Sequence, residues 1–265
     1  MTVPEFLYHY TSIESLAYIL KRATFRFTRV DRLNDPLDGL SSDIEKARKH
    51  IFVSSWTANS EDQIPMWKMY THDMSGIRIR LPSTLFSKSP QLETFDLGIE
   101  GQYLGCRCDP FSANCSYFGI PIEIKYVFGP WEIVYVTSRE EVAKKCIRES
   151  VAPTGIAVKH VNLNNLGAVK VKDWQFEREW RFRVYATPTG FPGLVSSDLS
   201  PDIFLPDMPI EYIDVPINRK CLSELEILIG PLGSEAHEIK VASLTGIYAP
   251  NARIAKSRIE ISRAT

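Results

Sequence analysis

Apolar residues recur along the chain with two different periods. In residues 76–81 they alternate strictly with arginines, which predicts a strand with one buried face and one polar face. The apolar residues are Ile77, Ile79 and Leu81, and the arginines are Arg78 and Arg80. After Thr11 the apolar residues are instead spaced three and four apart. This spacing predicts a helix that opens with the capping box Thr11-Ser-Ile-Glu14.

Similar patterns predict further strands and helices in an irregular order. Strands are predicted at 6–10, 51–56, 122–126, 132–136, 169–171, 173–185, 225–229 and near Ile259. Further helices are predicted at 43–50, at 64–70, from Ser138 and from near Ser234. Because strands and helices do not alternate regularly, the sequence favours an α+β fold around a mostly antiparallel sheet. No linker divides the chain, so we expect a single domain over 1–265, with 87–120 as an insertion or long loop.

Composition narrows the class of protein. The chain has 265 residues, with 31 Lys and Arg against 32 Asp and Glu, which excludes a generally basic nucleic-acid coat protein. No run of about 18 apolar residues occurs, so we expect no membrane span. No secretory signal is visible at the beginning of the sequence, and the five cysteines are expected to be reduced thiols of a cytoplasmic protein.

The predicted strand 173–185 has the pattern that most strongly suggests chemistry, because charged residues recur along it. A period of two places its polar residues on one face, namely Glu177, Glu179, Arg181, Arg183 and Tyr185. One interpretation is a solvated outer face, whose charges pair for little energy. The other is the wall of a cleft, where a carboxylate acts as a general base or stabilises a cation.

Two aromatic segments are further candidates. Tyr8-His9-Tyr10-Thr11 brings an imidazole and hydroxyls to a strand-to-helix corner, which suits a polyhydroxylated ligand such as a ribose. A structural histidine and a hydroxyl used only for capping are the alternatives. Trp67 and Tyr70 lie on one side of a predicted helix and either pack in the core or stack on a flat cationic ring such as nicotinamide. We expect Met66 and Met69 to pack in the core.

Metal-binding patterns are weak, and we predict no metal site. The loop that contains Asp31, Asp35 and Asp38 has turn chemistry and lacks the regular oxygen ligands of an EF-hand. A thiol cluster has no fourth Cys or His ligand nearby; its members are Cys106, Cys108 and Cys115. No Walker loop, GxGxxG or GxSxG motif occurs.

Blocks of sequence over nearly the whole chain occur in the order of one family. They are Leu7-Tyr-His9-Tyr10-Thr11-Ser-Ile-Glu-Ser-Leu16, Asn34-Asp35-Pro36, Ser55-Trp56-Thr57, Met66-Trp67-x-x-Tyr70 with Gly76-Ile77, Trp174-x-x-Glu177-x-Glu179-Trp180-Arg181, and Glu226-Ile-Leu-Ile-Gly230-Pro231. They resemble the bacterial and phage family named domain of unknown function 2971. Ser54-Ser55 departs from that family, which often has a cysteine and an aromatic residue there, and the family has no established function.

A second resemblance implies a function. His9, then Ser55 with Trp67 and Tyr70, then Glu177-x-Glu179 stand in an order similar to that of ADP-ribosyltransferases. The DNA-modifying toxins of that group begin with a similar His-aromatic-Thr stretch. The resemblance implies a twisted split β-sheet with flanking helices, and NAD as the substrate.

The same resemblance implies a role for each candidate residue. Glu179 would stabilise an oxocarbenium-like transition state as nicotinamide leaves, and Glu177 would orient or deprotonate the acceptor. The implied catalytic set is Glu179, Glu177 and His9. The implied cofactor-binding set is His9, Tyr10, Thr11, Ser55, Trp67, Tyr70, Arg78, Arg80 and Arg181, in which the arginines would meet the pyrophosphate.

Three functions follow as hypotheses. The first is an NAD-dependent ADP-ribosyltransferase with a nucleic-acid or protein acceptor, acting in phage–host conflict. The second is a non-catalytic sensor of a nucleotide or NAD derivative. The third is a hydrolase with paired carboxylates, metal-assisted through Asp35 and Asp38. The first requires His9, Tyr70 and Glu179 to face one cleft.

Overall fold

Strands in which apolar and polar residues alternate form one large sheet in the computed structural model. The structure describes residues 2–86, 91–95, 103–117, 120–151, 153–155, 157–161, 163–188 and 207–262. The strands are β1 (Phe6–Thr11), β2 (Thr24–Arg29), β3 (Ile51–Thr57), β4 (Ile77–Pro82), β5 (Gln91–Phe95), β6 (Tyr103–Tyr117), β7 (Ile120–Glu132), β8 (Val134–Val136), β9 (Ile147–Val151), β10 (Ala157–Val161), β11 (Val169–Val171), β12 (Glu179–Pro188), β13 (Tyr212–Pro216), β14 (Glu226–Ile229) and β15 (Arg253–Lys256). The helices are α1 (Ile13–Arg22), α2 (Ile64–Tyr70) and α3 (Glu235–Tyr248).

The large sheet has the strand order β15-β14-β4-β1-β3-β12-β7-β6-β5, and β2 branches from β3 to pair with β13. Each pairing of this sheet in the described residues is antiparallel, except the parallel pair β14–β15. Smaller sheets join β9 to β10 and β8 to β11. The prediction of an α+β fold with a mostly antiparallel sheet is confirmed at this level.

Strands β1 and β3 diverge and form a fork in the middle of the sheet. Strand β1 pairs with β4 over all six of its residues, but it pairs with β3 only at Tyr8 and Thr57. On its opposite edge β3 pairs with β12 from Ile51 to Thr57, and β2 pairs with the edge that β1 leaves, at Phe52 and Val53. The fork therefore leaves open space between two central strands, and the candidate site lies there.

Helix α1 covers one side of the sheet for reasons visible in its sequence. Its buried residues follow helical spacing and are Ile13, Leu16, Ile19 and Leu20. The Ser12 hydroxyl accepts a hydrogen bond from the backbone N–H of Ser15 at 3.1 Å, so Ser12 is the N-cap. The prediction that Thr11 caps the helix is wrong, because Thr11 is the last residue of β1.

The predicted helix from Ser138 is absent. Ser138 does cap a turn, since its hydroxyl accepts from the Glu140 N–H at 3.2 Å. The chain beyond it is drawn into tertiary contacts: the Asp43 carboxylate accepts from the N–H groups of Cys146 and Ile147 at 2.8–3.0 Å. Backbone donors used in this way are lost to a helix, which explains why a capping signal alone did not produce one.

Other boundaries differ from the prediction. The segment 43–50 is helical only in the 3₁₀ turn Ala47–His50, and the last strand is β15 rather than one near Ile259. The predicted strand 173–185 begins only at Glu179, because Lys172–Glu177 forms a 3₁₀ turn that ends at Arg178 with φ of +44°. By contrast, the helix predicted at 64–70 is observed as α2.

The segment 87–120, expected to be an insertion or long loop, contains β5 and β6. Its residues 87–90, 96–102 and 118–119 lie outside the described residues. None of the helices in the described part of the chain is long and apolar enough to cross a membrane.

Candidate functional site

A cavity of about 240 Å³ occupies the fork between β1 and β3, and we call it the site cavity. Its wall brings together seven of the residues predicted for the site, namely His9, Tyr10, Ser55, Tyr70, Glu177, Glu179 and Arg181. The remaining lining residues are Tyr8, Arg26, Thr28, Leu33, Asn34, Val53, Ser54, Trp56, Thr57, Met66 and Lys170. The condition set by the sequence, that His9, Tyr70 and Glu179 face one cleft, is therefore met.

The His9 side chain connects β1 to β3 across the fork. Its Nδ1 lies 2.8 Å from the carbonyl oxygen of Ser55, which can only accept, so Nδ1 carries the proton and donates. The ring packs against Trp56 and Phe25, with centroids 5.0 and 5.5 Å away. Burial lowers the pKa of His9 below its ordinary value, which favours the neutral imidazole. Nε2 is then a hydrogen-bond acceptor, a suitable partner for a ligand hydroxyl.

Two carboxylates of the site share one ammonium group. Lys170 Nζ lies 2.8 Å from Glu177 Oε2 and 2.8 Å from Glu179 Oε2. Each of the three side chains is at most 4% exposed. Lys170 comes from the middle of β11, between Val169 and Val171, and the sequence patterns did not identify it. The available signal was a single charged residue within a short apolar strand.

Arg181 joins Glu179 to a third carboxylate, that of Asp38. Its guanidinium contacts Glu179 through Nε and Nη2 at 2.5 and 3.0 Å. It also contacts both oxygens of Asp38 at 2.8 and 2.5 Å, and donates to the carbonyl of Gly167 at 3.0 Å. We call Asp38, Lys170, Glu177, Glu179 and Arg181 the ion cluster. At exposures of 0–3% they are buried, so the interpretation of a solvated outer face is wrong for this strand.

The two glutamates of the ion cluster differ in protonation. Burial alone would raise the pKa of Glu179, but the adjacent charges of Arg181 and Lys170 overcome it and hold that pKa at about 2. For Glu177, burial and then the negative charge of Glu179 raise the pKa above its ordinary value. Glu179 is therefore a permanent anion, whereas Glu177 is the carboxyl group of the pair that takes up a proton more easily.

Tyr70 connects α2 to the ion cluster. Its hydroxyl donates to Glu177 Oε1 and accepts from the Asn34 side-chain amide at 3.1 Å. Burial, followed by the charge of Glu177, raises the pKa of Tyr70, so the phenol stays protonated and keeps donating. In the sequence Asn34 is only part of a turn motif, and its contact with Tyr70 explains why that loop lies at the site.

The acidic loop does not form a carboxylate pair available to a metal. Both oxygens of Asp38 are occupied by Arg181. Asp35 Oδ1 accepts from the Leu37 N–H at 2.9 Å, and burial raises the pKa of the group. Asp31 pairs with Arg29 at 2.6 Å. In the described part of the chain, no three His, Cys, Asp or Glu side chains are grouped for a metal ion. The side chains of Cys106, Cys108 and Cys115 lie outside the described residues.

Several predicted site residues lie elsewhere. Trp67 is fully buried behind the cavity wall, where its ring packs against Tyr10 at 4.8 Å and its Nε1 donates to Asp62 at 3.0 Å. Arg78 and Arg80 line a separate groove on the sheet. The expected burial of Met69 is also wrong, because this side chain is 45% exposed.

A second cavity of about 460 Å³ adjoins the site cavity. The two share His9 and Arg26 as lining residues, and Thr11 belongs only to the second. The Arg26 guanidinium stacks over the Tyr212 ring at 3.6 Å and pairs with Asp214 at 2.9 Å. Arg26 was not predicted, because nothing in the pattern of β2 separates it from an ordinary exposed arginine.

Comparisons of the chain with models of known families, with curated proteins and with solved structures find no match. The resemblances described from the sequence therefore stay predictions.

Proposed function

We propose that the chain is an NAD-consuming ADP-ribosyltransferase. The observation that carries the proposal is the meeting of His9, Tyr70, Glu177 and Glu179 in one cavity at the fork between β1 and β3. A neutral imidazole and a permanent carboxylate face the same small space, where the carboxylate can stabilise the positive charge that develops when a charged N-glycosidic bond breaks.

The size and division of the cavities support a two-part ligand. Pockets for drug-sized ligands measure about 300–1,000 Å³. The site cavity, at about 240 Å³, fits a nicotinamide riboside portion better than a whole dinucleotide. The second cavity, at about 460 Å³, begins at the shared His9 and Arg26 and offers room for the remainder. Arg26 replaces Arg78, Arg80 and Arg181 as the proposed partner of the pyrophosphate.

The reaction breaks the bond between the ribose C1′ and the pyridinium nitrogen of NAD. Nicotinamide leaves as a neutral molecule with the bonding electrons, and positive charge develops on the ribose. Glu179 stabilises that charge and accepts a hydrogen bond from a ribose hydroxyl, while Tyr70 packs against the departing nicotinamide ring. An acceptor nucleophile then forms the new bond at C1′ and loses its proton to Glu177. A raised pKa brings this base closer to neutral pH, where a general base works best.

Release of nicotinamide from NAD tests the proposal. We expect Glu179→Gln to lower the rate at least about 100-fold, since removing one group that stabilises the transition state has effects of this size. The matched control is Glu260→Gln, which makes the same chemical change at an exposed position. Because Glu179→Gln also disturbs the ion cluster, Tyr70→Phe and His9→Gln are measured beside it, and circular dichroism verifies that each variant is folded. Equal release by wild type and by all three folded site variants would overturn the proposal.

One observation favours a second candidate, a non-catalytic sensor of NAD or a related nucleotide. Arg181 and Lys170 contact both oxygens of Glu179, which neutralises much of its charge. Calorimetric binding of NAD without release of nicotinamide, in the presence of cell extract as acceptor, would favour the sensor. The third hypothesis, a hydrolase through Asp35 and Asp38, is not supported because Arg181 occupies Asp38.

A further inference from the structure

A groove of about 260 Å³ lies on the sheet beside the site and has no role in the proposed cleavage of NAD. We call it the arginine groove, and its charged and aromatic lining residues are Tyr8, Arg78, Arg80, Glu226 and Arg253. Strands β1, β4, β14 and β15 each contribute to it. Tyr8 lines both this groove and the site cavity, so the two spaces are neighbours.

The hydrogen-bonded register connects the groove to Glu179. Directly paired residues run across six strands in the order Arg253, Glu226, Arg80, Tyr8, Thr57 and Glu179. Residues paired in this way lie on the same face of a sheet. With strands about 4.8 Å apart, Arg80 lies about 14 Å and Arg253 about 24 Å from Glu179 along this row.

The chemistry of the groove suits an anionic ligand with flat rings. Its three arginines face one carboxylate, Glu226, which contacts Arg80 and Arg253. Arg80 stacks over the ring of Phe6 at 3.5 Å and Arg78 over Tyr8 at 4.7 Å. Arg80 already contacts Glu226, and Arg78 donates to the carbonyl oxygen of Ser60 at 2.8 Å, so each uses part of its edge. A guanidinium has five N–H donors and two faces, so each can still offer donors to a phosphate and a face to a second ring. The side chain of Arg253, at the sheet edge, is 76% exposed.

We infer that the arginine groove binds single-stranded nucleic acid and directs it to the site cavity as the acceptor. The role as acceptor rests on the proposed transferase function, whereas the binding itself does not. A basic track with aromatic side chains is the usual surface for single strands, because every base offers a face for stacking. A strand also fits the depth of the site: Glu177, the proposed base, is 3% exposed, so a nucleobase must leave its stack to bring its nucleophile there, which costs least in a single strand.

Fluorescence anisotropy with a labelled single-stranded oligonucleotide, in the absence of NAD, tests the binding. We expect Arg253→Glu to weaken binding about tenfold and to reduce the slope of log affinity against log salt concentration by about 0.7 for each phosphate that is no longer neutralised. Arg139→Glu, the same charge reversal at an exposed turn away from the groove, is the matched control and should leave affinity unchanged. Tyr8→Leu, which removes a stacking ring but no charge, should weaken binding without altering the salt slope.

The outcomes separate this inference from the proposed function. Oligonucleotide binding that depends on Arg253, in a protein that releases no nicotinamide, would remove the transferase proposal and leave the groove as a nucleic-acid site. If the chain is active, Arg253→Glu should keep the release of nicotinamide to water but lose transfer to the oligonucleotide. Absence of binding, an equal loss with Arg139→Glu, or tighter binding of duplex DNA or of a poly-glutamate peptide would each overturn the inference.

Discussion

The ion cluster and the arginine groove use the same kinds of side chain in opposite settings. In the ion cluster, three carboxylates meet Lys170 and Arg181 at exposures of 0–3%. In the groove, three arginines meet a single carboxylate, Glu226, whose side chain is 34% exposed. Charges buried from water must be matched by partners, since an unpaired charge there costs several kcal/mol. Charges in the groove are partly hydrated, so an excess of one sign is tolerated and is available to a ligand.

The ion cluster therefore serves folding and chemistry, whereas the arginine groove serves the recognition of a ligand. The ion cluster positions Glu179 and sets the protonation of Glu177, and its charges are largely used by one another. The groove leaves positive charge unmatched and contributes little to stability. Changes in the first region should be felt mainly in folding and chemistry, and changes in the second mainly in binding.

The largest expected effect comes from breaking the cluster at its centre. Arg181→Met leaves Asp38 and Glu179 buried without the guanidinium, and we expect the free energy of unfolding to fall by about 3–5 kcal/mol. Arg80→Met, its counterpart in the groove, should cost less than about 1 kcal/mol because that pair is partly hydrated. Urea denaturation of both variants measures the difference. Similar losses for the two would show that burial does not distinguish the regions as described.

Acid should weaken the ion cluster through Glu179. Glu179 has a pKa near 2 in the folded chain and about 4.5 when unfolded, so the unfolded chain takes up its proton first as pH falls. The stability from this lowered pKa is present above pH 4.5 and lost as pH falls towards 2, up to about 3 kcal/mol. Glu177, with its raised pKa, has the opposite sign, so its contribution declines as pH rises above 4.5.

Unfolding free energies measured across this pH range check the prediction. Glu179→Gln should flatten the profile below pH 4.5, and Glu177→Gln should flatten the decline above it. A Glu226→Gln variant from the groove, where the side chain is 34% exposed, is the matched control, and we expect it to leave the parts of the profile due to Glu179 and Glu177 as in the wild type. If all three profiles changed alike, the assignment of opposite signs to the two glutamates would be wrong.

The smallest effect concerns the link between α2 and the cluster. Tyr70→Phe removes the hydroxyl that donates to Glu177, and we expect a loss of about 1 kcal/mol. Because that hydrogen bond stabilises the carboxylate, its removal should raise the pKa of Glu177 further. Tyr248→Phe, at a tyrosine that is 36% exposed, should stay within about 0.5 kcal/mol. Thermal denaturation and carboxyl NMR titration measure both quantities, and an unchanged Glu177 titration would contradict the role given to Tyr70.

Local sequence patterns predicted the strands and helices well, but they did not predict what surrounds the side chains of those elements. The alternation that predicts β4 and the spacing that predicts α1 are both observed, because one face of each packs on the core. The pattern also identified the face with Glu179 and Arg181, but it could not tell that this face is buried. Its partners, Asp38 and Lys170, come from segments that are brought there only by the tertiary fold. Long-range contacts of this kind also replaced the helix predicted from Ser138.

The order of strands in the sheet has a consequence for the timing of assembly. Strand β1 is synthesised before the other described strands but lies near the centre of the sheet, and it shares the site cavity with β12, which lies beyond β3 and begins at residue 179. Pairings between segments so distant in sequence form slowly, because a long loop must close before the strands can meet. A nascent chain that has not yet reached residue 179 therefore has His9 and Tyr70 but neither Glu179 nor Arg181. Any activity that depends on Glu179 can begin only after β12 has been synthesised and has paired with β3.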